Sequence, residues 1–142
     1  MIYKKSWKYK LIKSYQKNLY RLQAIRDFSD VKRGNLGGYV SNYRNLSHKG
    51  DCWIYDEVFV TKNAKVSENA KIFGNAHIDD DAQVSGDVII YQHAYIFDNA
   101  KVYGNAVISG NAQIFENAQV YGDAIISGNT KVSENTCIFR LL

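Results

Sequence analysis

From Asn63 to Arg140 the chain repeats one apolar signal with a period of six. A Val or Ile stands at residues 66, 72, 78, 84, 90, 96, 102, 108, 114, 120, 126, 132 and 138, with no insertion between them. Two residues before each of these anchors lies a smaller residue. It is Ala in ten of the thirteen hexads and Val88, Thr130 or Thr136 in the others. In an α-helix six residues advance roughly 600°, so such a stripe would smear around the cylinder. A strand period fits instead: it puts the Ala and the anchor on one side and the residues flanking the anchor on the other. The remaining pair, Gly or an acid followed by Asn or Asp, suits a corner, because these residues tolerate φ > 0. One short strand and one corner per hexad, three hexads per turn, predict a triangular prism whose coils stack about 4.8 Å apart. A coil of this kind buries its anchors and pairs its backbone only against a neighbour, so the coils stand as a stack or not at all.

The hexad can be traced back through EVFVTK and DCWIYD, giving about five 18-residue coils over residues 51–142. Carried one step further, to NLSHKG, it puts His48 at an anchor position and points it inward. Ahead of the repeat, KYKLIKS (8–14) and LYRLQAI (19–25) alternate polar with apolar residues around the turn-like YQKN, which predicts a β-hairpin. Arg26–Gly38 is expected to be a connecting loop, with Gly34, Gly37 and Gly38 permitting tight turns. The apolar side of the hairpin (Leu11, Leu19 or Tyr20, Leu22 and Ile25) is expected to cover the open first coil, whose backbone would otherwise be unpaired. The chain is therefore read as all-β: residues 1–50 form a basic hairpin and loop that cap a parallel β-helix over 51–142.

Residues beside the anchors point outward, and the 18-residue coil sorts them into three faces. One face collects Trp53, Tyr55, Phe73, Ile89, Tyr91, Val107 and Ile125, with Lys71, Ser109 and Ser127 among them. Cross-coil ladders of like residues account for the aromatics of the other two faces. They do not account for this column, and an exposed apolar patch of such extent marks an interface. Either a second subunit packs there or the N-terminal arm folds over it. A homo-oligomer, trimer or dimer with a slight lean to the threefold, is the expectation.

Charge sharpens the division of the chain. Residues 1–33 carry ten Lys/Arg against two acids, residues 34–62 balance, and residues 63–142 carry five basic against nine acidic groups. A basic head thus sits on an acidic body. Lys4, Lys5, Lys8, Lys10, Lys13 and Lys17, interleaved with Trp7, Tyr9 and Tyr15, fit contact with nucleic acid or another acidic partner by phosphate pairing and base stacking. The competing reading is that edge lysines block edge-to-edge aggregation. Two distant cysteines, Cys52 and Cys137, argue against a disulfide scaffold or a zinc site. No 18-residue apolar run or leader-like stretch appears, so the expected location is the cytoplasm, away from membranes.

The hexads NAKVSE, NAKIFG, NAHIDD and their successors resemble the hexapeptide-repeat, left-handed parallel β-helix superfamily. The left hand is what the resemblance implies. That superfamily holds acyltransferases, carbonic-anhydrase-like proteins and non-enzymatic scaffolds, so it fixes fold more than function. The front segment, with RDFSDVKRGNLGGYV and NLSHKGDCWIYD, is similar to the start of a bacterial and phage family that joins a short lead-in to hexapeptide coils. Some of its members are labelled transferases by fold analogy, and it brings no catalytic residues.

Acyltransferases of the resembling fold use a histidine as general base, which makes His77 and His48 candidates, while His93 occupies a corner usually held by Asn. His77 has Asp79, Asp80 and Asp81 nearby, but the alternation of faces argues against a metal site there. No phosphate loop, nucleophile elbow or HExxH pattern occurs. The regular run of hexads supplies no loop to wall a substrate pocket. The leading expectation is a non-enzymatic, oligomeric binding or structural module without cofactor, from a phage or mobile element and acting on a host protein or nucleoprotein. The alternatives are an acyltransferase using acetyl-coenzyme A and a nucleic-acid contact through the hairpin.

Overall fold

The computed structural model describes residues 6–140. Two-residue strands recur at every hexad and stack into three parallel sheets, each strand pairing with the one 18 residues further on. The first face runs through Trp53, Lys71, Ile89, Val107 and Ile125, and the second through Lys65, Gln83, Lys101, Gln119 and Cys137. The third runs through Phe59, His77, Tyr95, Gln113 and Lys131. All thirteen anchors are buried, and the ten Ala beside them are completely so. The fold is a parallel β-solenoid, and no helix among the described residues is long and apolar enough to cross a membrane.

Corners repay a cost. The first residue of the corner pair adopts a left-handed φ, between 55° and 58° at Asp80, Asp98, Glu116 and Glu134. A side chain there is strained by about 1 kcal/mol or more. The same side chain offsets this by reaching one coil on: Asp80 Oδ2 accepts from the Asp98 N–H at 3.0 Å, and Asp98 Oδ2 from the Glu116 N–H at 3.0 Å. Glycine fills the position elsewhere, as at Gly104 with φ 73°, where no strain arises.

At the N-terminal end, β1 (Tyr9–Lys13) and β2 (Tyr20–Ala24) form the hairpin, and β2 pairs antiparallel with β3 (Leu36–Val40). β3 then joins the third face in parallel, Val40 opposite Val60, which makes that sheet eight-stranded. Gly37 and Gly38 thus lie in a strand, not in the expected loop. Their role is close approach: a Cβ on Gly38 would meet the Ile54 side chain and the Val58 carbonyl at 2.7 Å. Of the hairpin residues expected to cover the first coil, Leu22 is buried and Leu11 packs against the core, whereas Tyr20 is exposed and Leu19 and Ile25 are half-buried. Tyr9 and Ala24 take the remaining buried places.

The solenoid begins one turn before residue 51. Leu46 bridges to Val66 as Val40 pairs with Val60, both offset by 20 residues, whereas Ile54 and Ile72 are offset by 18. The first turn therefore carries two extra residues in its corner between Leu46 and Cys52. That insertion moves the anchor from His48 to Leu46, so the extrapolated hexad is wrong at this point. A 3-10 turn, Tyr43–Asn45, fills the preceding corner, and the buried Asn45 amide donates to the carbonyls of Lys62 and Ala64.

Candidate functional site

Two places gather polar chemistry, and one face gathers apolar surface. On the third face, His77 stacks on Tyr95 with ring centroids 5.0 Å apart and meets Phe59 edge-on at 6.1 Å. The ladder continues from Tyr95 to Phe97 and Phe115 at 4.2 and 5.0 Å. Beside it the Thr61 hydroxyl donates to Asp79 Oδ1 at 2.7 Å and lies 3.1 Å from His77 Nε2. With its proton spent on Asp79, the Thr61 oxygen accepts from Nε2–H, which leaves the free lone pair on Nδ1. Burial holds the His77 imidazole below its ordinary pKa against the opposing pull of Asp79 and Asp80, so it is neutral at neutral pH. Burial pushes Asp79 up, but the Thr61 hydroxyl, the Asp80 backbone N–H, His77 and Lys62 together hold it below the usual carboxylate range. Lys62 Nζ is 3.1 Å from Asp80 and 3.8 Å from Asp79. The trio Asp79, Thr61, His77 orients a neutral imidazole on an open face; no group of His, Cys, Asp and Glu among the described residues is placed to hold a metal ion. Thr61 was invisible in the sequence reading, because its partner lies 16 residues away and one coil over.

The second polar cluster closes the top of the solenoid. Lys8 is fully buried, and its ammonium donates to the Cys52 and Gly50 carbonyls at 2.7 and 3.2 Å and touches Cys52 Sγ at 3.3 Å. Burial lowers the Lys8 pKa and raises that of the Cys52 thiol. His48 lies between the rings of Trp7 and Tyr9, 4.8 and 4.1 Å away, and its Nδ1 accepts from the Lys8 N–H at 3.1 Å. Burial, then the charges of Lys8 and Arg26, depress His48 to about 4. This is a structural plug: His48 is walled in by the cap, and Lys8 leaves the set of solvent-facing lysines. Lys10, Lys13 and Lys17 remain on the hairpin, and Lys4 and Lys5 lie outside the described residues.

The apolar column of the first face divides in two. A strap, residues 26–35, lies over its first two rungs. Phe28 packs edge-on against Trp53 at 5.3 Å, leaving that indole 1% exposed, and Val31 is buried beside it. Asp30 accepts from the Tyr55 hydroxyl at 2.7 Å and sits 3.6 Å from Lys71, whose ammonium also donates to Ser29 at 2.8 Å. Trp53 is therefore covered by its own chain and belongs to no outer surface; Tyr55 is half-buried and tied to the strap. Past Phe73, which stacks on Tyr55 at 4.2 Å, the strap ends. Ile89, Tyr91 and Ile125 stand 41%, 38% and 48% exposed, with Val107 half-buried between them.

Comparison with known proteins agrees with this architecture. A family model, the YdcK beta solenoid repeat, matches residues 118–134. The chain is also 37% identical over 59 residues to a protein of Escherichia coli (strain K12) described as "Uncharacterized acetyltransferase YdcK". That match takes in 41% of this chain and 18% of the relative, so the chain spans under a fifth of the protein it resembles.

Proposed function

We propose that this β-solenoid is a binding and structural module that works as a homo-oligomer, with the uncovered rungs of its first face as the contact surface. One observation carries the reading: the chain covers the first two rungs of an apolar column with its own strap and leaves the next three bare. The covered half shows what the column packs against, and the bare half presents the same apolar surface for an outside partner. Sedimentation of the wild type at micromolar concentration is expected to give an oligomer. The double variant Ile89→Glu, Ile125→Glu is expected to give a monomer with an unchanged circular dichroism spectrum. A monomeric wild type would remove the proposal.

A second reading, transfer of an acetyl group from acetyl-coenzyme A, is favoured by the His77–Thr61–Asp79 trio together with the description of the E. coli relative. In it, His77 Nδ1 takes the proton of an acceptor amine or hydroxyl as that group attacks the thioester carbonyl, and the proton passes to the departing thiolate. Calorimetry decides: micromolar acetyl-coenzyme A binding that His77→Ala abolishes would replace the scaffold reading.

A further inference from the structure

The bare patch has a shape that selects one packing. Its three rungs carry six side chains beside the anchors, Ile89 and Tyr91, Val107 and Ser109, Ile125 and Ser127; none is charged, and Ser109 alone of the six is buried. Side by side they form two columns: an aliphatic one at 89, 107 and 125, and one that falls from a tyrosine to two serines. The strap borders the patch at one end only, against the rung of Lys71. Any ligand for this surface has to match an apolar column, a size gradient and a one-sided wall.

We infer that the occupant is a second copy of the chain packed antiparallel, about a two-fold axis at the level of Val107. This rests on the self-association proposed above and goes further by fixing its geometry. Under that axis Val107 faces Val107, Ile89 of one copy faces Ile125 of the other, and Tyr91 faces the small Ser127. The bulky end of the second column thus meets the slender end of its mate. In this packing the two straps lie at opposite ends of the contact. In a parallel packing, twofold or threefold, the straps share one level and hold the faces apart at the rungs of Trp53 and Lys71. The isologous contact is self-complementary in the way a two-fold demands.

Cross-linking separates the arrangements. In a Cys137→Ser background, which removes the exposed thiol and leaves Cys52 buried, single cysteines are placed at Val107, Ile89 or Ile125 and treated with a short bis-maleimide. Val107→Cys is expected to link to itself. Ile89→Cys and Ile125→Cys alone are expected to stay unlinked, and a mixture of the two to give a linked pair. Self-linking of Ile89→Cys and of Ile125→Cys, each as efficient as that of Val107→Cys, would overturn the antiparallel geometry while leaving self-association intact. An oligomer in sedimentation with no link at any of the three positions would move the contact to another face and overturn the inference as well. A monomer in sedimentation defeats the reading on which it rests.

Discussion

The stacked coils and the cap that closes their first turn are held together by opposite means. In the coils the rungs are nearly interchangeable: a small residue and an anchor beside each other, a corner held by glycine or by a side chain that bonds the next coil, and the same register 18 residues on. In the cap no contact is repeated. Lys8 serves the Gly50 and Cys52 carbonyls, His48 serves the Lys8 backbone, and Tyr9 donates to the Leu46 carbonyl at 2.5 Å. The coils therefore draw stability from a sum of like neighbour terms, whereas the cap depends on a few unlike ones. Damage should spread differently through the two.

The largest effect is expected inside a coil. Ile108→Ala opens a void between two rungs and should cost about 3 kcal/mol in denaturant unfolding. Amide exchange should quicken in the coils on both sides of it, because each depends on the next. Acid should reach the cap through His48. His48 is held at about 4 against an ordinary 6.5. Its contribution is complete above pH 6.5 and is lost as pH falls to about 4, where the folded state too takes the proton. That loss amounts to about 3 kcal/mol. The step should vanish in His48→Phe, which keeps the ring stack without a titrating group.

Lys8→Ala strands the buried Cys52 carbonyl and should cost about 2 kcal/mol. Exchange should quicken near Cys52 and Trp53, with protection unchanged around Ile108; a uniform loss along the chain would erase the distinction between cap and coil. The smallest effect is expected at Thr61→Val, about 1 kcal/mol. It should release Asp79 toward the ordinary carboxylate range, seen in its NMR titration, and free His77 to exchange between tautomers.

The same contrast explains what could be read ahead of the structure. Periodicity marks a residue by its neighbours' copies, so every anchor from Val66 to Ile138 was found and every one is buried. It fails where the period breaks: two extra corner residues after Leu46 misplaced His48 by two positions. Lys8 looked exposed because a lone charged residue at the start of an alternating strand carries no sign of the Gly50 and Cys52 carbonyls awaiting it. Thr61 and Trp53 were hidden for a related reason. What each touches, Asp79 in one case and Phe28 in the other, is set by how far the chain winds before it returns. The strap's cover of the first rungs was one of two outcomes the apolar column allowed, and hydropathy alone could not say how many rungs it would reach.

The constant 18-residue offset between rungs makes this molecule a ruler with a fixed graduation. Duplicating one whole coil after Ile108 would lengthen the bare column by a rung and move its midpoint from a residue to the gap between two. Duplicating a single hexad would instead turn everything downstream by a third of a revolution. Ile125 would then leave the column of Ile89 and Val107, although every anchor inside the prism would still meet another anchor. Growth in quanta of three hexads preserves the surface, and growth in any other quantum scrambles it while sparing the core.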